Sequence, residues 1–237
     1  MTPEELFNDI HVYCLANASE AIVQKYSRYF KEGYDAFGLT PEQTNAKVKS
    51  LLADPNTDLG LVIQTSPLLL RTGKYEETSF AALLLKSFSK QFSKETFNEI
   101  GHWFEIGITN WAHTDFICGE IMQLFFKKKI ITYQDLSKWR KAKNKFQRRA
   151  VAVSLIKELK ITSDYQPWLD FIEPLMMDPE REVHQGLGWF LREAWKRQPD
   201  QVETFLYKWK NTAPRLIFQY ATEKMTPAEK QRFRKEK

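Results

Sequence analysis

Apolar residues return every three or four positions along most of this 237-residue chain, and this constrains its fold more than any other feature. The pattern is clear in FAALLLKSFSKQF (80–92), FNEIGHWFEI (97–106) and FICGEIMQLFF (116–126). No period-2 alternation runs long enough for a strand, and no hairpin turn of the Asn-Gly kind occurs. Helix starts can be read directly. Thr2 precedes Pro3, Ser19 precedes Glu20, Thr40 precedes Pro41, Ser93 lies before Glu95, Asp178 precedes Pro179, and Thr226 precedes Pro227. The chain therefore reads as all-α. Helices are predicted over about 3–16, 20–31, 41–53, 57–70, 75–91, 94–106, 110–128, 133–142, 145–158, 163–176, 179–196, 199–209, 213–223 and 227–235.

Many helices of this length on short connections favour stacked antiparallel pairs, an α-solenoid, over one compact bundle. One helix of each pair would line a concave side, giving a long groove rather than a closed pocket. A chain of 237 residues fits one such domain, 1–237. Hydrophobic residues make up 43% and charged residues 27%, as in a folded protein rather than a disordered one. Two cysteines, Cys14 and Cys118, are too few for a disulfide framework and suit a reducing compartment. The acidic start MTPEELFNDI does not read as a secretory signal, and no apolar run reaches the ~20 residues needed to cross a bilayer. The expectation is a cytoplasmic monomer without a membrane association.

The net charge of +5 is unevenly spread. The segment KKKIITYQDLSKWRKAKNKFQRR (127–149) holds ten bases against the single acid Asp135, with Tyr133, Trp139 and Phe146 interleaved. That bias points to a surface that meets polyanions, with a solvated basic face as the plainer reading.

The stretch GITNWAHTDF (107–116) places Trp111 and Asp115 four residues apart, on one face of a helix, with His113 turned away. Arg149 and Lys157 share a side of a later helix. In VHQGLGWFLREAWKR (183–197), Gly186 and Gly188 precede Trp189 inside a helix. Glycine there costs about 1 kcal/mol each against alanine, so close approach of another backbone, from a packed helix or a ligand, is the expected reason. Each residue also has a plainer reading. Trp111 and Trp189 could be core aromatics, Asp115 could pair with a basic residue of a neighbouring helix, and His113 could be a surface residue or a satisfied core histidine.

At NWAHTD, QRRAVAVSLIK and QGLGWFLREAWKRQPDQVETF the chain resembles the AlkD-like bacterial DNA glycosylases, alkylpurine-excising enzymes built from HEAT-like helical repeats. The resemblance runs from about residue 20 to 210. It implies a catalytic cleft at Asp115, Trp111 and Trp189. Arg149 and Lys157 would lie toward the DNA backbone, and Tyr29, in YSRYFKEGYDAFGL, would be a further groove aromatic. Arg148 and Lys145 join the same DNA-binding set as members of the basic segment. The implied partner is duplex DNA carrying alkylated purines, and no metal, nucleotide or redox cofactor is called for.

The residue types suit that chemistry. A purine alkylated at N3 or N7 is already cationic, so cleavage of its glycosidic bond releases a neutral base without a general acid. Positive charge then develops on the sugar. A carboxylate about 4 Å away attracts it by about 4 kcal/mol at an effective dielectric near 20, and indole faces attract cations by about 1–2 kcal/mol when desolvated. Two other classes stay open at this point, a non-catalytic DNA-binding paralogue and a protein-binding helical scaffold.

Overall fold

The structure is a computed structural model that describes residues 1–236. Its packing divides into two compact units, Met1–His113 and the chain from Thr114 onward. Among the described residues every regular element is helical.

The first unit contains α1 (Pro3–Ala16), α2 (Glu20–Ser27), α3 (Pro41–Ala53), α4 (Leu59–Arg71), α5 (Tyr75–Ser87) and α6 (Lys94–Ile106). The start signals at Thr2, Thr40 and Ser93 are capping boxes, in which the cap side chain takes a backbone N–H of the first turn and the residue three positions on returns the bond. Ser19 occupies the cap position of α2 without a side-chain bond. Helix α4 packs on α1, α5 and α6, and α5 on α1 and α3. Leu6 and Ile10 of α1, Leu69 and Leu70 of α4, Phe80 and Leu84 of α5, and Ile100 and Trp103 of α6 are fully buried.

The connection from α2 to α3 carries no regular structure over much of its length, yet it is firmly held. The buried Glu76 carboxylate, at the start of α5, accepts the backbone N–H groups of Phe37, Gly38 and Leu39 at 2.7–3.1 Å. Gly38 has φ +87, and a Cβ there would lie 2.2 Å from the Ser19 carbonyl oxygen, so only glycine fits. At the other end of the unit Gly107 is also fixed by space, because a Cβ would lie 2.2 Å from the Leu70 carbonyl oxygen.

The predicted helix 110–128 is one continuous run of three kinds: α7 (Trp111–Phe116), a π-helical stretch Ile117–Met122, and α8 (Gln123–Lys127). The boundary between the units falls within α7. The run closes on Lys129, which holds a left-handed φ of 56 where glycine is usual. Next come α9 (Lys145–Leu155), α10 (Gln166–Ile172), α11 (Arg181–Trp195), α12 (Pro199–Trp209), α13 (Arg215–Ala221) and α14 (Pro227–Gln231). The segment predicted as a helix at 133–142 is a 3₁₀ run, Tyr133–Lys141, and α9 and α10 each tighten into 3₁₀ turns, Ile156–Lys160 and Glu173–Met177. Periodicity cannot distinguish these tighter turns from α over two or three turns.

Helix α11 is the axis of the second unit and packs on α9, α12 and α13. The two glycines explain how. A Cβ on Gly186 would lie 2.9 Å from Arg149 Cγ of α9, and one on Gly188 would lie 2.4 Å from Tyr220 Cβ and 2.7 Å from the Ile217 carbonyl oxygen of α13. Two residues apart, they face nearly opposite ways around the helix. Neighbouring helices, not a ligand, are what they accommodate. The expected cap at Asp178 is corrected: α11 starts after Glu180, because the Asp178 carboxylate is held by Arg148 while also accepting the Glu180 N–H.

Candidate functional site

Trp111, at the first position of α7, is 38% exposed. Its indole N–H donates to the Tyr29 carbonyl at 3.2 Å, and its ring stacks on Phe30 with centroids 5.6 Å apart. Phe30 in turn stacks on Tyr34 at 4.6 Å and meets Tyr75 edge-on at 5.5 Å. Tyr29, 52% exposed, is capped by Arg28, which donates to its hydroxyl at 2.8 Å. Trp111 is therefore tied to the Tyr29 backbone and backed by stacked rings, while the Tyr29 ring meets Tyr26 and Arg28. Phe30 has no mark in the sequence beyond belonging to an aromatic-rich stretch.

His113 is a core residue. The Asn110 side-chain oxygen takes the His113 backbone N–H, which leaves the Asn110 amide to donate to Nδ1 at 2.8 Å. Nε2 then carries the proton and faces Ser79 Oγ at 3.0 Å. The ring stacks on Tyr75 with centroids 4.4 Å apart. Burial pushes its pKa down to about 4, opposed by a hydrogen bond to the Tyr75 backbone. A neutral imidazole so enclosed is a packing element.

Asp115 lies one turn after Trp111 on α7 and faces α9. Arg149 grips it with two parallel bonds, Nε to Oδ1 and Nη2 to Oδ2, both 2.8 Å. The same guanidinium donates through Nη1 to the Glu182 carbonyl on α11 at 2.8 Å. Arg149 is only 6% exposed. Burial works against its charge, but the hydrogen bonds and charge of Asp115 outweigh that and raise its pKa. The carboxylate is somewhat more open than its partner, so its remaining lone pairs have access to solvent.

The basic segment divides sharply. Arg148 donates to Asp178 through Nε and Nη2 and to the Ala142 and Lys143 carbonyls through Nη1. Lys145 pairs with Glu182 at 3.0 Å. Neither Arg148 nor Arg149 reaches outward as a DNA-backbone contact would require, because acids that are distant in sequence draw each guanidinium into the fold. Lys127, Lys128, Lys129, Lys138, Lys141 and Lys143 are the exposed part of the cluster. Lys157 stays at the surface and donates to Glu120 at 3.2 Å, a partner with no cue in the sequence. Trp189 is half-buried on α11, beside the tight glycine Gly188.

Residues 15–225 match the DNA alkylation repair enzyme family, and this chain belongs to that family. A solved structure described as a predicted DNA alkylation repair enzyme from Enterococcus faecalis has the same fold, with a TM-score of 0.71 at 16% identity, covering 89% of this chain and 98% of its own. AlkD2 from Streptococcus mutans superposes with a TM-score of 0.58 at 19% identity, covering 86% of this chain and 97% of its own. No curated protein matches the sequence. The fold is thus the helical-repeat fold of these relatives. No helix among the described residues is long and apolar enough to cross a membrane.

Proposed function

We propose that this protein hydrolyses the N-glycosidic bond of cationic N3- or N7-alkylpurines in duplex DNA, acting as a monofunctional glycosylase. In that reaction the bond between C1′ and the base nitrogen breaks, its electron pair leaves with the now neutral base, and a water adds to C1′ and loses a proton.

The observation that carries the reading is the two-point clamp of Arg149 on Asp115. It fixes a carboxylate in direction while leaving it access to solvent. Arg149 offsets part of the ~4 kcal/mol attraction that a bare carboxylate would offer a cationic sugar. What the pair keeps is orientation, the property needed to hold an attacking water at a chosen angle. Trp111, braced by Phe30 and by its bond to the Tyr29 carbonyl, supplies an exposed indole face suited to a cation or a sugar. Trp189, half-buried on α11, offers a second indole. The exposed lysines of 127–143 provide the non-specific attraction to phosphate expected of a duplex binder.

Incubation with duplex containing 7-methylguanine tests the proposal. Release of the free base by the wild-type chain, lost in Asp115→Asn and strongly reduced in Trp111→Ala with both variants shown to be folded, is the expected result. Salt-dependent binding without release would instead identify a non-catalytic DNA-binding member of the family. No binding at low salt would leave a protein-binding scaffold.

A further inference from the structure

The run from Trp111 to Lys127 changes from α to π geometry at Ile117–Met122, two residues after Asp115. In a regular α-helix, residues five apart point about 140° from each other around the axis. A π turn closes between residues five apart and brings such residues toward one line. Asp115 and Glu120 are five apart, and both reach the same neighbouring run, Lys145–Lys160. Asp115 meets Arg149 there, and Glu120 meets Lys157 eight residues further along. The residue that α spacing would have aligned with Asp115 is Gly119. A Cβ at Gly119 would meet only Lys157 Cε, at 4.0 Å, so the lysine stem passes over the glycine to reach Glu120.

The two ion pairs differ in kind. The first is bidentate and largely enclosed. The second is a single contact between side chains 39% and 42% exposed, a pairing that solvent and salt weaken. A carboxylate so close to the ammonium competes with any phosphate for it and repels that phosphate directly.

We infer that Glu120 is a positioning residue that withholds Lys157 from the phosphates of undamaged duplex, its carboxylate carried on the π-helical stretch beside the lysine stem. The inference rests on the DNA-binding part of the function proposed above. A lysine already neutralised by its own carboxylate adds little to counterion release when duplex binds, and removal of the carboxylate's charge returns that contribution.

Binding of the full chain to an undamaged duplex, measured across a salt series, tests this directly. Glu120→Gln should steepen the dependence of log affinity on log salt by about 0.9, the equivalent of one phosphate contact. It should also raise affinity at low salt by up to about fivefold, the most that one exposed pair contributes. Lys157→Ala placed in the Glu120→Gln background should cancel both changes, whereas Lys157→Ala alone should leave the wild-type slope nearly as it was. An unchanged slope in Glu120→Gln overturns the inference. So does a slope made shallower by a whole phosphate equivalent in Lys157→Ala alone, since the lysine would then already be on the phosphate. Failure of the wild-type chain to bind duplex overturns both the inference and the binding role beneath it. Binding without release of 7-methylguanine sinks the glycosylase reading only.

Discussion

The two compact units fix their candidate residues by opposite means. In the first, Trp111 rests on a lattice of rings, Phe30, Tyr34 and Tyr75, the Tyr29 ring meets Tyr26 and Arg28, and both remain exposed. In the second, Asp115, Arg148, Arg149 and Lys145 are fixed by ion pairs, and the arginines are withdrawn from the surface in the process. A stacked aromatic can be rigid and presented at once, because one face packs while the other stays open. A guanidinium gains rigidity from a bidentate pair that is strong only when enclosed, so the arginine that is best held is least available to a ligand. Residue types that look equally functional in a sequence thus divide into those that are offered and those that hold others in place.

Breaking the ion-pair side of this contrast should have the largest effect. Arg149→Met leaves Asp115 facing an apolar neighbour, and Asp115→Asn leaves a buried guanidinium without its counter-charge. Each is expected to cost about 3–5 kcal/mol of unfolding free energy, measured by denaturant titration, in addition to any loss of activity. Next comes the enclosed imidazole of the aromatic side. His113 has a folded pKa of about 4 against 6.5 when unfolded, so the unfolded chain binds the proton more readily. The contribution is fully present above pH 6.5 and is lost as pH falls toward 4, reaching on the order of 3 kcal/mol. His113→Asn should flatten that window in a pH series of thermal melts. Gly188→Ala, which drives a methyl into Tyr220 and the Ile217 carbonyl, is expected to cost about 1–3 kcal/mol. Gly119→Ala, with only ordinary contact to Lys157, should cost nothing. Smaller than the effect of Gly188→Ala is that of Trp111→Phe, which removes one hydrogen bond to the Tyr29 carbonyl and should cost about 1 kcal/mol or less while loosening the exposed ring.

Much of the fold is legible in the sequence because its signals are local. Thr2, Thr40, Ser93 and Thr226 cap helices as their spacing predicts, and the apolar stripes bury where their period places them. Asp178 misleads because an arginine thirty residues away takes its carboxylate. Gly186 and Gly188 mark sites of close approach, but whether a helix or a ligand approaches cannot be read from them. The candidate residues are visible by type and spacing, with the partners mostly hidden. Glu120 carries no signal at all, because its partner, Lys157, lies 37 residues away.

The sequence by itself determined that this chain is a succession of capped helices carrying a tryptophan and an aspartate one turn apart, since capping and amphipathic spacing act over a few residues. Only the tertiary structure decided which charges face outward. Arg149 or Lys157 ends buried or exposed according to acids 34 and 37 residues distant, and pairing across such separations has no local signature.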